Sequence, residues 1–197
     1  MNKQHSFLTT RTTSPRAVGD AVESLIAENF ESFVGESVRK FSFSFGRRAM
    51  ADIEFTDKVG FHYVVDVKTH CLDTKFNMPN LTSIKRLSRF YEEDLNYFII
   101  LKVDYKIDGL KTIVKNVTFS PIEFFSWECL TLGALGWGQI QIADGNVVKI
   151  ISMSNRKAWM LKLCEVISEF YPKEIKKIHS RVKHFEKIKK FWSKKDE

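Results

Sequence analysis

Apolar residues at positions 18, 22, 25, 26, 30 and 33 (Val, Val, Leu, Ile, Phe, Phe) recur at helical spacing, so a helix with one apolar stripe is predicted. Ser14-Pro15 reads as an N-cap followed by a proline at the first helical position, and the helix should end near Gly35. Phe41, Phe43 and Phe45 then alternate with Ser42 and Ser44, the period-two pattern of a half-buried strand. Residues 51–55 suit a second strand, 56–60 a turn, and 61–69 a third strand, making a three-stranded meander.

Leu81, Ile84, Leu87 and Tyr91 mark a second helix, whose other side carries Lys85, Arg86 and Arg89. The almost continuous apolar run 97–103 has the look of a strand buried on both faces. Asp108-Gly109 reads as a hairpin turn into a strand over 111–119, and Ser120-Pro121-Ile122-Glu123 resembles a capping box opening a short helix. Asp144-Gly145-Asn146 should join short strands over 139–142 and 147–151, and two helices, 154–170 and 172–192, complete the chain. No internal repeat is visible. The expected class is α/β or α+β: a mixed central sheet flanked by helices, with added hairpins and C-terminal helices.

At 197 residues the chain fits one domain spanning 1–197, large enough to bury a substantial core. A formal net charge of +7 points toward a polyanionic partner, because clustered Lys and Arg attract phosphate by counterion release. Cys71, Cys129 and Cys164 are odd in number and widely spaced, which argues against a disulfide framework or a zinc site and for a reducing compartment. Without an apolar run long enough for a signal peptide or a membrane span, a soluble, cytoplasmic protein with no membrane partner is expected.

Candidate chemistry lies in the third strand, where Val64-Val65-Asp66-Val67-Lys68-Thr69 places Asp66 and Lys68 on one face. Alone, this is also how a surface ion pair looks. Asp52 begins the preceding strand, however, and the short turn between the two can fold it beside Asp66. Two neighbouring carboxylates repel, and a divalent cation is the usual reason for a protein to keep both ionised. Hard oxygen ligands suit Mg2+, and a lysine close by can orient a water or stabilise charge developing on a phosphorane, so phosphodiester hydrolysis is the chemistry implied.

Ala51-Asp52-Ile53, twelve intervening residues, then Asp66-Val67-Lys68 resembles the signature of the PD-(D/E)xK nuclease superfamily, which includes many type II restriction endonucleases. The order helix, three strands, helix, strand is similar to that superfamily's common core, over roughly residues 16–104. The resemblance implies a restriction-endonuclease-like core (αβββαβ), Asp52 and Asp66 as metal ligands, Lys68 as the catalytic lysine, and Mg2+ as cofactor. Ala51 stands where the signature has proline, and Asp66 where Glu is commoner, a variant similar to the Asp-x-Lys form of the EcoRV-like branch. Many members add a Glu from the first helix; Gly19-Asp20-Ala21-Val22-Glu23 is similar to their Gly-x-x-x-Glu pattern, and Glu23 is preferred to Glu28 because it borders the apolar stripe.

Residues 105–152 then read as hairpin additions for recognition and 153–197 as a C-terminal helical segment. Candidate DNA contacts are Lys75, Asn77 and Asn80, from the loop that leaves the third strand, and Gln139 and Gln141, which alternate on a glycine-bounded hairpin. Each also reads as an ordinary polar loop or structural hairpin. Ile175, Ile178, Val182, Phe185, Ile188 and Trp192 form a stripe on the last helix, amid lysines, suited to the protein body or a second subunit. Site-specific cleavage of double-stranded DNA by a homodimer leads the readings, since cutting both strands of a palindrome requires two symmetry-related centres. A Holliday-junction resolvase or repair nuclease on the same core, and a noncatalytic DNA-binding module, remain alternatives.

Overall fold

The computed structural model describes residues 14–43, 50, 52–109, 111–151 and 155–195. Phe45, Ala51 and Ser154, on which parts of the strand and helix expectations fell, lie outside the described residues. The chain divides into two compact units, 1–153 and 154–197.

In the first unit, α1 (Pro15–Val34) leads through a 3-10 turn into β1 (Val38–Phe43), β2 (Ile53–Asp57) and β3 (His62–Cys71). The β2–β3 turn is built by Asp57, whose Oδ1 accepts the backbone N–H groups of Val59, Gly60 and Phe61, with Gly60 at the positive φ of 106° that glycine adopts without penalty. Next come β4 (Asn80–Ser83), α2 (Ile84–Phe90), β5 (Asn96–Asp108), β6 (Lys111–Pro121), β7 (Leu130–Gly133) and β8 (Gln139–Ile142).

The fold is mixed α+β. Among the described residues the main sheet has the order β1-β2-β3-β5-β6, antiparallel except for the central β3–β5 pair, which is parallel. A smaller antiparallel sheet has the order β4-β8-β7. The order helix, three strands, helix, strand is therefore present, with β4 inserted before α2.

Strand alternation sorts the side chains of β3. Val65 and Val67 join Val18, Val22, Ile26 and Phe30 of α1, together with Ile53, Leu101, Val103 and Tyr105, in the hydrophobic core. Asp66, Lys68 and His70 project from the opposite face of the strand.

Several local expectations are corrected. Residues 81–83 belong to β4 and not to α2, because they pair with β8; Ser83 then caps the helix by accepting the Arg86 N–H at 3.2 Å. The capping box does not form: Ser120 is paired with Ile100 inside β6, and Glu123 instead accepts the Tyr91 hydroxyl at 2.7 Å beside a single 3-10 turn. No strand forms over 147–151, where only an isolated bridge joins Phe125 to Ile150. The Asp144-Gly145-Asn146 turn spends its backbone elsewhere, since the Gly145 N–H bonds to the Asn77 carbonyl; β8 takes β4 and β7 as neighbours instead.

The second unit is one helix, α3 (Arg156–Trp192), where two were expected. Pro172 lies inside it and forfeits one i to i−4 hydrogen bond, yet the helix continues through the Lys- and Glu-rich residues that follow, which are good helix formers. Asn155 caps its start, accepting the Ala158 N–H at 2.9 Å. Ile175, Ile178, Val182 and Phe185 of its stripe are exposed.

Candidate active site

Asp52 stands where β2 leaves β3. Its own N–H bonds to the Val65 carbonyl at 3.1 Å, and its Oδ2 accepts the Val67 N–H at 2.7 Å. The carboxylate thus completes the ladder and is fixed beside the strand that carries Asp66 and Lys68.

Asp66 is 5% exposed. Its Oδ1 accepts Lys68 Nζ at 2.7 Å, while Oδ2 is buried with no hydrogen-bond partner. Lys68 Nζ also donates to the Val67 carbonyl at 3.3 Å, and its side chain opens the pair to solvent. Burial pushes the Asp66 carboxyl up to about 7; Lys68 opposes that rise, and the negative charges of Asp52 and Glu23 add to it. Burial pulls the Lys68 ammonium down, but Asp66, by charge and hydrogen bond, and then Asp52 and Glu23, hold it above the ordinary lysine value. Lys68 is consequently a cation at neutral pH and not a free base.

Glu23 is half-buried on α1 and accepts the Thr69 hydroxyl at 3.3 Å, whereas Glu28 is exposed. Burial raises the Glu23 carboxyl and Lys68 opposes the rise, so the two charges lie within electrostatic reach of each other. The helix comes this close to β3 because position 19 is glycine: a Cβ there would lie 2.6 Å from Thr69 Oγ1. Gly19→Ala is predicted to lower stability by about 1–2 kcal/mol despite a helix-propensity gain of about 1 kcal/mol, because overpacking outweighs it. Urea denaturation measures this, and the double variant Gly19→Ala/Thr69→Ala should recover most of the loss.

Glu23, Asp52, Asp66 and Lys68 are therefore brought into one electrostatic neighbourhood, although Glu23 meets the α1 side of β3 and the Asp66–Lys68 pair the other. Among the described residues no three His, Cys, Asp or Glu side chains converge as a preformed metal cage. Mg2+ asks for less: one or two carboxylates, with waters and substrate oxygens filling the remaining positions. An orphaned, buried carboxylate oxygen on Asp66, with Asp52 beside it, fits that requirement.

The candidate DNA contacts divide. Lys75 is exposed on the loop 72–79, and Asn77 is half-buried with its amide 3.4 Å from His70 Nδ1. Asn80 and Gln141 face each other across β4 and β8, where the Gln141 amide donates to Asn80 Oδ1 at 2.6 Å. That bond ties both residues into the small sheet. Gln139 shares the Gln141 face of the β7–β8 hairpin and is half-buried.

Two groups escaped the sequence reading. His70 is 1% exposed, and its Nε2 lies 3.0 Å from Asn146 Oδ1. Lys102 and Asp104 form a buried ion pair on β5, in register with Lys68 and His70, and Asn116 donates to Asp104 at 3.3 Å. The two-residue spacing from Lys68 is the available signal for His70, whereas Lys102 is the one charge inside the almost continuous apolar run 97–103 and draws no notice there.

No family of known proteins matches the chain, and no curated protein matches it. Among solved structures it is similar to the NlaIV restriction endonuclease, at 14% sequence identity and a TM-score of 0.45, over 68% of this chain and 55% of that one. The chain thus spans about half the length of that matched structure.

Proposed function

We propose that this chain is a Mg2+-dependent nuclease, and within that class a type II restriction endonuclease that hydrolyses phosphodiester bonds at a specific sequence of double-stranded DNA. The observation that carries the proposal is the Asp66 carboxylate: buried, with one oxygen unpartnered, flanked by Asp52 and Glu23 and compensated by Lys68. An arrangement that costs stability in the free protein is expected where a ligand offsets the cost.

Asp52 and Asp66 would hold the metal, which when bound supplies Lewis-acid charge and a more acidic water. Lys68, protonated at neutral pH, places positive charge where the phosphorane oxygens become more negative. The Lys68 ammonium, paired with Asp66 and partly open to solvent, would face a phosphate oxygen from that position. Glu23, held by Thr69, is placed to accept a hydrogen bond from a water at the edge of the site. Lys75 would supply a phosphate contact. A homodimer fits cleavage of both strands, and the exposed apolar stripe of α3 is a surface on which subunits could associate.

Incubation of long duplex DNA with the protein and Mg2+, followed by sequencing of the ends, tests this reading. Discrete fragments with a shared end sequence are expected. Ends without sequence preference would leave a nuclease but overturn site specificity, and preference for a four-way junction over linear duplex would favour a resolvase. Salt-sensitive DNA binding that neither needs Mg2+ nor changes in Asp66→Ala, with no cleavage, would leave a binding module.

A further inference from the structure

The loop 72–79 leaves the end of β3, the strand that carries the Asp66–Lys68 pair, yet its shape is set by a turn far away in the chain. His70 lies between the two. Its Nε2 is 3.0 Å from Asn146 Oδ1, and its Nδ1 is 3.4 Å from the Asn77 amide. With Nε2 as the N–H donor and Nδ1 as the acceptor, both contacts are satisfied by one neutral tautomer.

Further bonds close the clamp. The Gly145 N–H donates to the Asn77 carbonyl at 2.6 Å, and the Asn146 amide reaches the carbonyls of Thr74 and Lys75, each at 3.4 Å. A Cβ at Gly145 would lie 3.0 Å from His70 Nδ1 and 3.3 Å from the Asn77 carbonyl, so the turn sits flush on the imidazole. The backbone is thus held at 74, 75 and 77, on both sides of Phe76, while the side chains of Lys75 and Phe76 are exposed to solvent, Phe76 at 61%.

The buried histidine thus fixes a loop that offers both a cation, Lys75, and an aromatic ring, Phe76, to solvent. We propose that His70, through Asn77 and Asn146, is the positioning residue that holds loop 72–79 as a preformed arm for duplex DNA, with Lys75 on a phosphate and Phe76 in apolar contact with a base. This rests on the nuclease reading, which supplies the duplex. The loop continues the strand that carries Asp66 and Lys68, and pre-organisation lowers the ordering cost on binding. Lys75 contributes the sequence-independent grip, and Phe76 a contact of the kind made with a thymine methyl or an opened base step.

The test combines fluorescence anisotropy, using a labelled random-sequence duplex in EDTA, with amide hydrogen exchange and single-turnover cleavage in Mg2+. His70→Ala is expected to raise Kd about ten-fold and to speed exchange in 72–79 and 143–147, while the single-turnover rate at saturating enzyme changes by less than about three-fold. His70→Gln, which keeps one donor and one acceptor, should recover most of the affinity. Phe76→Ala should raise Kd by a similar factor with exchange unchanged. If His70→Ala does not fold, Asn146→Ala and Gly145→Ala loosen the same clamp and carry the same expectation.

Wild-type affinity in Phe76→Ala, or faster exchange in the clamp variants without a change in Kd, would overturn the inference. DNA binding without cleavage by the wild type would overturn the nuclease reading alone, and absence of DNA binding would overturn both.

Discussion

Asp66→Asn is expected to make the metal-free protein more stable at pH 8 while abolishing Mg2+-dependent cleavage. The Asp66 carboxyl, pushed up to about 7 by burial, binds its proton more tightly in the folded protein than the ordinary carboxyl of the unfolded chain. Its stabilising contribution is therefore fully present below about pH 4 and is lost as pH rises through about 7. At pH 8 the wild type holds a buried anion that Lys68 only partly compensates; at pH 5 the group is protonated and asparagine changes little. The melting temperature of the variant should exceed that of the wild type by about 5 °C or more at pH 8 and converge with it near pH 5. Added Mg2+ should raise the wild-type value at pH 8 and leave the variant unchanged, since only a ligand that binds the native site shifts the equilibrium. Thermal melts at the two pH values, with and without Mg2+, decide this; a wild type that is more stable than Asp66→Asn at pH 8 without metal would contradict it.

Lys68→Ala should act in the opposite direction on stability and the same direction on activity. Its ammonium is the nearest counter-charge to Asp66, at 2.7 Å, so its removal leaves a buried carboxylate without its compensating partner. The loss of stability should be largest at pH 8 and fade toward pH 5, where Asp66 takes up a proton. Cleavage should fall by about a hundred-fold or more, the scale on which removal of one preorganised stabiliser of transition-state charge acts. Lys68→Arg keeps the charge but not the compact ammonium, and should restore stability more fully than cleavage. Stability and rate measured on the same three proteins separate the structural from the chemical part of the lysine's role.

The elements that could be read from sequence were those with strong local periodicity. Helix α1 announces itself by Val18, Val22, Ile26 and Phe30, and its boundaries by Pro15 and Gly35. Strand β3 is equally legible, because Asp66 and Lys68 interrupt a run of valines at a strand's period, and the hairpin that brings Asp52 to Val67 follows from a turn built on one aspartate. By contrast, β4 and β7 are four residues each, too short for a periodic signal, and although β8 is read correctly at 139–142, its pairing with β4, which joins Asn80 to Gln141 across a long stretch of chain, leaves no local trace. The false hairpin at Asp144-Gly145-Asn146 arose because the turn chemistry was right and the partner was wrong. His70 could not be recognised as a clamp, since Asn77 and Asn146 converge on it only after folding. Lys102 and Asp104 illustrate the same limit: buried charges look like a strand terminus until they are seen to satisfy each other.

Within the site, residue types and order carried the placement of Asp52, Asp66 and Lys68 in one neighbourhood. What they could not convey is the state of each group. That Asp66 keeps an unpartnered oxygen, that Asp52 closes the β2–β3 ladder, and that Lys68 is a pinned cation are consequences of burial and register.

The measurement that tests the central claim most directly is the conversion of supercoiled plasmid to nicked and linear forms by the wild type in Mg2+, alongside wild type in EDTA and Lys68→Ala in Mg2+. Cleavage confined to the first sample is the predicted result. Equal cleavage in all three, or none in any with plasmid and four-way junction both offered, would contradict a metal-dependent site built on Asp52, Asp66 and Lys68.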